Sequence, residues 1–201
     1  MLYEKKSHLI NELISEGILK SEKVIEAFKK VPRERFIPKK FLAEAYGNYP
    51  LPIDFGQTIS QPLTVAAMTE ALDVKKNNEV LEIGAGSGYQ AAILSFLAKK
   101  VVTLERIKEL YEFAKKNLAD YKNVTIIFGD GTKGYGKEKF DRIIVTASAR
   151  EVPKKLLEQL KEGGKMIIPV GNEMFLIEKK NGRIKKTFMG YYAFVPLVED
   201  F

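Results

Sequence analysis

The sequence predicts an α/β protein with a doubly wound, mostly parallel seven-stranded sheet, covered by helices at its N-terminus and closed by an antiparallel hairpin at its C-terminus. Three observations predict it. From Glu79 onward, short apolar runs rich in Val and Ile alternate with segments of helical periodicity, as repeated βα units require. The first run, Val80-Leu81-Glu82-Ile83, breaks into three glycines at alternate positions, Gly84, Gly86 and Gly88, which suits a buried strand turning sharply into a helix. Near the other end, Asn181-Gly182 separates two strand-like segments and is a strong hairpin turn.

Residues 1–45 read as a helical cover. Leu9, Ile10, Leu13 and Ile14 form one apolar face that stops near Gly17. Ser21 is placed to N-cap a second helix that turns Val24, Ile25, Phe28 and Val31 inward. Pro32 and Pro38 bracket residues 33–37, and a short third helix is expected over 40–46. Residues 49–62 have no period and carry three prolines, yet they are too apolar for disorder, so an irregular functional loop is predicted. It leads into a helix over 63–72. Strands follow at 79–83, 101–105, 124–128, 140–146 and 164–170, with helices at 88–98, 106–119 and 153–161. The hairpin arms are 173–179 and 184–194. No linker or repeat intervenes, so one domain spans 1–201, with 1–62 as cover and substrate loop and 63–201 as the ligand-binding α/β core.

Composition narrows the chemistry. A chain of 201 residues suffices for one α/β domain and is short for two. The absence of cysteine excludes disulfides, thiolate metal sites and cysteine nucleophiles. The single histidine, His8, lies in a helical pattern beside Leu9 and Ile10, where packing explains it better than metal binding or catalysis. No run of about 18 apolar residues offers a membrane span, and Met1 to Lys6 lack the apolar stretch of a secretion signal. A cytoplasmic monomer is expected. The net charge of +7 admits a nucleic-acid partner, but the lysines are spread along the chain among glutamates and read as solvated surface. Abundant Lys and Glu without Cys also suit a protein adapted to heat.

The glycine turn at a helix N-terminus suits the polar part of a nucleoside-containing ligand. Dinucleotide sites space their glycines G-x-G-x-x-G around a pyrophosphate. Here the pattern is Glu82-x-Gly84-Ala85-Gly86-Ser87-Gly88, and a carboxylate two residues before the first glycine suits a ligand ammonium better than a phosphate. The next strand ends in Glu105, followed by Arg106. An acid there can accept both ribose hydroxyls, although a lone acid at a strand end is also commonplace. The third strand ends in Asp130-Gly131, which could accept from an adenine amino group or could be an ordinary turn. All three acids fall on the carboxyl edge of the sheet, where ligands bind in open α/β folds. The glycine pattern resembles the first motif of the S-adenosylmethionine-dependent methyltransferases, which implies S-adenosylmethionine as methyl donor and no metal.

The methyl acceptor is narrowed by residues 140–149, Phe-Asp-Arg-Ile-Ile-Val-Thr-Ala-Ser-Ala, which hold no proline pair, no aromatic after the strand and no obvious general base. A carboxylate acceptor needs no base, since a pKa of about 3.5 leaves it ionised at neutral pH. An RNA or small-molecule methyltransferase, and a cofactor-binding protein without catalysis, remain open on the residues alone; a dehydrogenase is disfavoured by the glycine spacing.

Residues 31–38, Val-Pro-Arg-Glu-Arg-Phe-Ile-Pro, residues 56–62, Gly-Gln-Thr-Ile-Ser-Gln-Pro, and residues 194–197, Phe-Val-Pro-Leu, resemble the protein-L-isoaspartate (D-aspartate) O-methyltransferases. The resemblance runs over nearly the whole chain. It implies methyl transfer to the free carboxylate of L-isoaspartyl residues in damaged proteins and peptides, with Ser60 as the active-site residue that orients that carboxylate. It further implies that Thr58 and Ile59 line the same cleft and that Val195, Pro196 and Leu197 pair with the substrate backbone. Ser60 could also N-cap the helix that follows, and the two roles are compatible. Asp54-Phe55 departs from the family, which often has smaller residues there.

Overall fold

The computed structural model describes residues 2–198. Two helices, α1 (Leu2–Ser15) and α2 (Glu22–Lys30), open the chain. Leu9, Ile10 and Leu13 of α1 are buried, but Ile14 is 39 % exposed, because the helix gives way to a turn at Gly17 whose N–H bonds the Ile14 carbonyl. Ser21 does occupy the N-cap position of α2 but does not cap it. Its hydroxyl donates to Glu70 Oε2 at 2.6 Å, and Glu70 Oε1 accepts from the Lys20 and Ser21 amides, so an acid of another helix anchors this helix start.

Two 3-10 turns follow, Arg33–Phe36 and Lys39–Glu44, the second in place of the expected short α-helix. The presumed irregular loop contains a small hairpin, β1 (Leu51–Pro52) antiparallel to β2 (Thr58–Ile59). Its turn places Asp54, Phe55 and Gly56 consecutively at φ 78°, 51° and 68°. Strands of two residues are too short to show a period, which is why the sequence pattern hid them. Helix α3 (Pro62–Leu72) starts on proline, whose missing N–H would be unpaired there anyway.

The core then alternates β3 (Glu79–Ile83), α4 (Tyr89–Ser95), β4 (Lys100–Glu105), α5 (Lys108–Asn117), β5 (Val124–Phe128), β6 (Phe140–Val145), α6 (Lys154–Gln159), β7 (Leu160–Val170), β8 (Glu173–Lys180) and β9 (Arg183–Tyr191). These seven strands form one sheet in the order β5-β4-β3-β6-β7-β8-β9. The pairs from β5 to β7 are parallel, and β8 and β9 add the antiparallel hairpin. Neighbouring residues of one strand serve opposite faces: Val80, Val101 and Ile144 pack under the N-terminal helices, while Leu81, Val102 and Ile143 pack on the other side.

This order places the site. The chain runs outward from β3 through β4 to β5, then returns to lay β6 on the other side of β3. A doubly wound sheet opens a crevice where strand order reverses, at the carboxyl ends of the strands. Here that is the end of β3 beside the end of β6, where Gly84 meets Thr146.

Candidate functional site

An open cleft lies at that switch point, with about 880 Å³ of atom-free space, solvent at its mouth included. Its floor is the turn after β3. Gly84 has φ +92°, and a Cβ there would stand 2.5 Å from Thr146 Oγ1. The contact is tight because Thr146 Oγ1 donates to the Gly84 carbonyl at 2.7 Å and also lies 3.0 Å from the Ile83 carbonyl oxygen. Gly88, at φ +88°, starts α4, and a Cβ there would press on Leu118 of the adjoining α5 segment.

One wall comes from the end of β4. Glu105 is nearly buried and lines the cleft. Its Oε2 accepts from the Gly86 amide at 2.8 Å and its Oε1 from the Ile107 amide at 2.9 Å, so one side chain ties the glycine turn to the start of the next helix. A carboxylate accepts at about four lone-pair sites, which leaves each oxygen able to accept once more. Arg106 stands beside it, with Ile107 and Leu110 adding an apolar surface suited to a flat base.

Of the residues expected at a cofactor, Gly84, Ala85, Gly86, Ser87, Glu105, Arg106 and Gly131 line the cleft. Glu82, Gly88 and Asp130 do not, and their placements have physical reasons. Glu82 shares the sheet face of Val80, under the N-terminal helices, and is fully buried, opposite Thr103 on β4 and Ile144 on β6. Burial pushes its carboxyl up to about 8, with the Glu105 charge adding to the effect and the Thr103 hydroxyl opposing it. That opposing pull falls short of a bond, since neither Glu82 oxygen nor Thr103 Oγ1 has a hydrogen-bond partner. Asp130 caps its own turn: Oδ1 accepts from the Thr132 amide and hydroxyl, and Oδ2 lies 3.3 Å from Lys133 Nζ. The flanking Gly129 and Gly131 form the cleft wall instead.

The opposite wall is the β1–β2 segment. Thr58, Ile59 and Ser60 all line the cleft. Gln61, not Ser60, is the N-cap residue of α3, and the Leu63 amide in its first turn donates to Asn48 Oδ1 at 3.1 Å. The capping role for Ser60 is therefore removed. Ser60 is held through its carbonyl, which accepts from Arg33 Nη1 at 2.9 Å. The third side is residues 195–197. The Val195 carbonyl accepts from the Ser148 amide at 2.8 Å, and the Leu197 amide donates to the Ser148 carbonyl at 2.7 Å, a parallel bridge to the chain beyond β6. Backbone groups alternate sides along an extended chain, so the Pro196 carbonyl faces away from that bridge, and so does the amide position at which proline lacks a hydrogen. Val195, Pro196 and Leu197 line the cleft with Ser60.

Thr146 and Tyr89 also line the cleft, and neither was singled out from the sequence. Thr146 sits at an unremarkable strand end. Tyr89 opens a helix that reads as core and is itself buried. Glu105, Arg106 and Tyr89 are the titratable side chains of the lining, with burial pushing the Tyr89 phenol upward. The lining holds no histidine or lysine, and among the described residues no His, Cys, Asp and Glu cluster could hold a metal ion.

The chain is similar to known proteins over nearly its full length. The chain is 52 % identical over 206 aligned positions to the protein-L-isoaspartate O-methyltransferase of Dictyoglomus turgidum, covering 99 % of this chain and 93 % of the relative. It is 49 % identical to that of Pyrococcus horikoshii, covering 99 % and 95 %. Among solved structures it superposes with a TM-score of 0.86 and 29 % identity on one assigned as a Plasmodium falciparum protein-L-isoaspartate O-methyltransferase in complex with S-adenosyl-L-homocysteine, covering 97 % of this chain and 98 % of that one. The family model described as protein-L-isoaspartate (D-aspartate) O-methyltransferase matches residues 4–201, and the chain belongs to that family.

Proposed function

We propose that this protein is a repair methyltransferase that methylates the free carboxylate of L-isoaspartyl residues in damaged proteins and peptides. When bound, S-adenosylmethionine supplies an electrophilic methyl group on a sulfonium. The observation that carries the reading is a single cleft in which the glycine turn and Glu105 face the Thr58–Ser60 segment. The donor set fits the cofactor: a ribose-type acceptor in Glu105, backbone of the Gly84–Ser87 turn and of Gly129 and Gly131, and no cluster of cations to receive a pyrophosphate.

In this reading Glu105 accepts the ribose hydroxyls with the lone pairs left over from the Gly86 and Ile107 amides. Arg106 and the turn residues Ala85 to Ser87 border the same end, and Gly131 borders the base. Glu82 acts from behind the wall and Asp130 by holding its turn. Ser60 donates its hydroxyl to the acceptor carboxylate, and Thr58 and Ile59 shape that end of the cleft. The Pro196 carbonyl, facing away from Ser148, is available to the substrate backbone, and contact through main chain tolerates varied side chains. An acceptor carboxylate is already ionised at neutral pH, so the reaction asks this chain for alignment and exclusion of water rather than for a base. A lining without histidine or lysine is in keeping with that demand.

The reading includes one domain over 1–201, a monomeric state, a cytoplasmic location, and adaptation to heat. No helix among the described residues is long and apolar enough to cross a membrane. The test is labelled-methyl transfer to an isoaspartyl peptide and, in parallel, to RNA. Base-labile label on the peptide supports the proposal; label on RNA alone contradicts it.

A further inference from the structure

Arg33 is fully buried, yet it is paired with no carboxylate among the described residues. Its Nε donates to the Ala45 carbonyl at 2.9 Å, Nη1 to the Ser60 carbonyl at 2.9 Å and Nη2 to the Tyr49 carbonyl at 3.4 Å. The guanidinium also lies 5.4 Å from the centroid of the Tyr89 ring. Its chain neighbour Glu34 accepts from the Tyr46 hydroxyl instead. Burial lowers the Arg33 pKa only to about 10, so it keeps its charge at neutral pH.

A buried cation answered only by neutral dipoles is costly, and its three carbonyl partners ask for donors, not for a net charge. The position suggests what the charge does. Two of the groups Arg33 touches, Ser60 and Tyr89, are walls of the cleft, so the guanidinium stands one residue behind the end where an anionic acceptor would lie. There the surrounding dielectric is low, and a fixed charge acts further than it would in water. Surface lysines cannot substitute, because solvent and salt screen them.

We propose that Arg33 is a positioning residue that attracts and orients the substrate carboxylate through the Ser60 backbone, giving the cleft its selectivity for an anionic over a neutral acceptor. The inference rests on the isoaspartyl reading above. A structural clamp drawing residues 45, 49 and 60 together would show the same hydrogen bonds, so the test must read charge rather than order.

Two peptides serve as probes, identical but for an isoaspartyl carboxylate in one and its carboxamide in the other. Their dissociation constants are measured by calorimetry on protein loaded with S-adenosyl-L-homocysteine, whose neutral sulfur removes the sulfonium charge, while Arg106 and the ligand ammonium stay the same in every variant. The carboxylate-to-carboxamide preference should fall about tenfold in Arg33→Gln and stay within about threefold of the original in Arg33→Lys. KM for the isoaspartyl peptide should rise in Arg33→Gln while that for S-adenosylmethionine stays unchanged. Equal weakening toward both peptides in both variants would mark a clamp and overturn the proposal. If Arg33→Gln does not fold, the unmodified protein decides. A preference that changes less than about threefold between 50 and 500 mM salt points to a buried cation, and a steep loss points to surface charge and overturns it. Failure of the unmodified protein to methylate the isoaspartyl peptide would instead sink the proposed function, and this inference with it.

Discussion

Glu105 Oε2 accepts a hydrogen bond from the Gly86 amide at 2.8 Å, so the acid at the end of β4 holds the glycine turn at the end of the neighbouring β3. The same carboxylate therefore shapes the cleft and faces whatever enters it. Removing it should cost twice. Glu105→Ala is expected to weaken S-adenosylmethionine binding about 30- to 100-fold, from the loss of charge-assisted hydrogen bonds to ligand and loop together. Calorimetry checks this, and unchanged affinity would remove Glu105 from the cofactor site.

Ser60 is positioned through its carbonyl, and under the proposed function its hydroxyl serves the acceptor. Ser60→Ala should lower kcat about 10- to 100-fold while cofactor affinity changes less than about threefold, as expected for loss of one orienting donor. Steady-state kinetics combined with cofactor titration separate the two quantities. Equal losses in both would make Ser60 structural.

Gly84 tests the switch point itself. In Gly84→Ala the new methyl would meet Thr146 Oγ1 at 2.5 Å on a backbone at φ +92°. A loss of about 2–4 kcal/mol in unfolding free energy is expected, with weakened cofactor binding. Adding Thr146→Ala should recover part of it by removing the clash while leaving the backbone strain. Denaturant titration of the unmodified protein, the two single variants Gly84→Ala and Thr146→Ala, and the double variant measures each share.

Glu82 makes stability depend on pH. Its carboxyl, ordinarily near 4.5, is pushed up to about 8 in the fold, because burial opposes the charge. Between those values the folded protein holds a proton that the unfolded chain has released, so stability falls as pH rises through that window and levels off above it. Cofactor-free protein should lose about 2–4 kcal/mol from this group between pH 5 and pH 8. Glu82→Gln cannot titrate and should show a flatter profile in thermal unfolding. Parallel profiles would mean that Glu82 stays ionised in the fold.

How far the residues announced this structure depended on how local each signal was. Residues 79–83 match the observed strand to the residue, because an apolar run bounded by charge and glycine specifies a buried parallel strand without outside help; 124–128 match equally, although β5 is an edge strand with no buried residue. The glycine turn and Glu105 were legible for the same reason, each lying at the end of such a run. What escaped depended on distant partners. The two-residue strands at Leu51 and Thr58 exist through pairing with each other. Ser21 resembles a cap by sequence but bonds Glu70, 49 residues away. Asp130 was read toward a ligand, yet its oxygens turn to Thr132 and Lys133, a choice between two local acceptor geometries that composition cannot make. Arg33 sat in plain view inside a family-like segment, but nothing in sequence marks an arginine as buried.

The account stands or falls on the acceptor. Matched peptides carrying isoaspartyl or normal aspartyl at one position should be incubated with labelled S-adenosylmethionine and scored by methanol release in base. The account predicts release from the isoaspartyl peptide at least about 100-fold above the aspartyl one, with Ser60→Ala suppressing it. Equal release from both peptides, or none from either alongside normal cofactor binding, would contradict it.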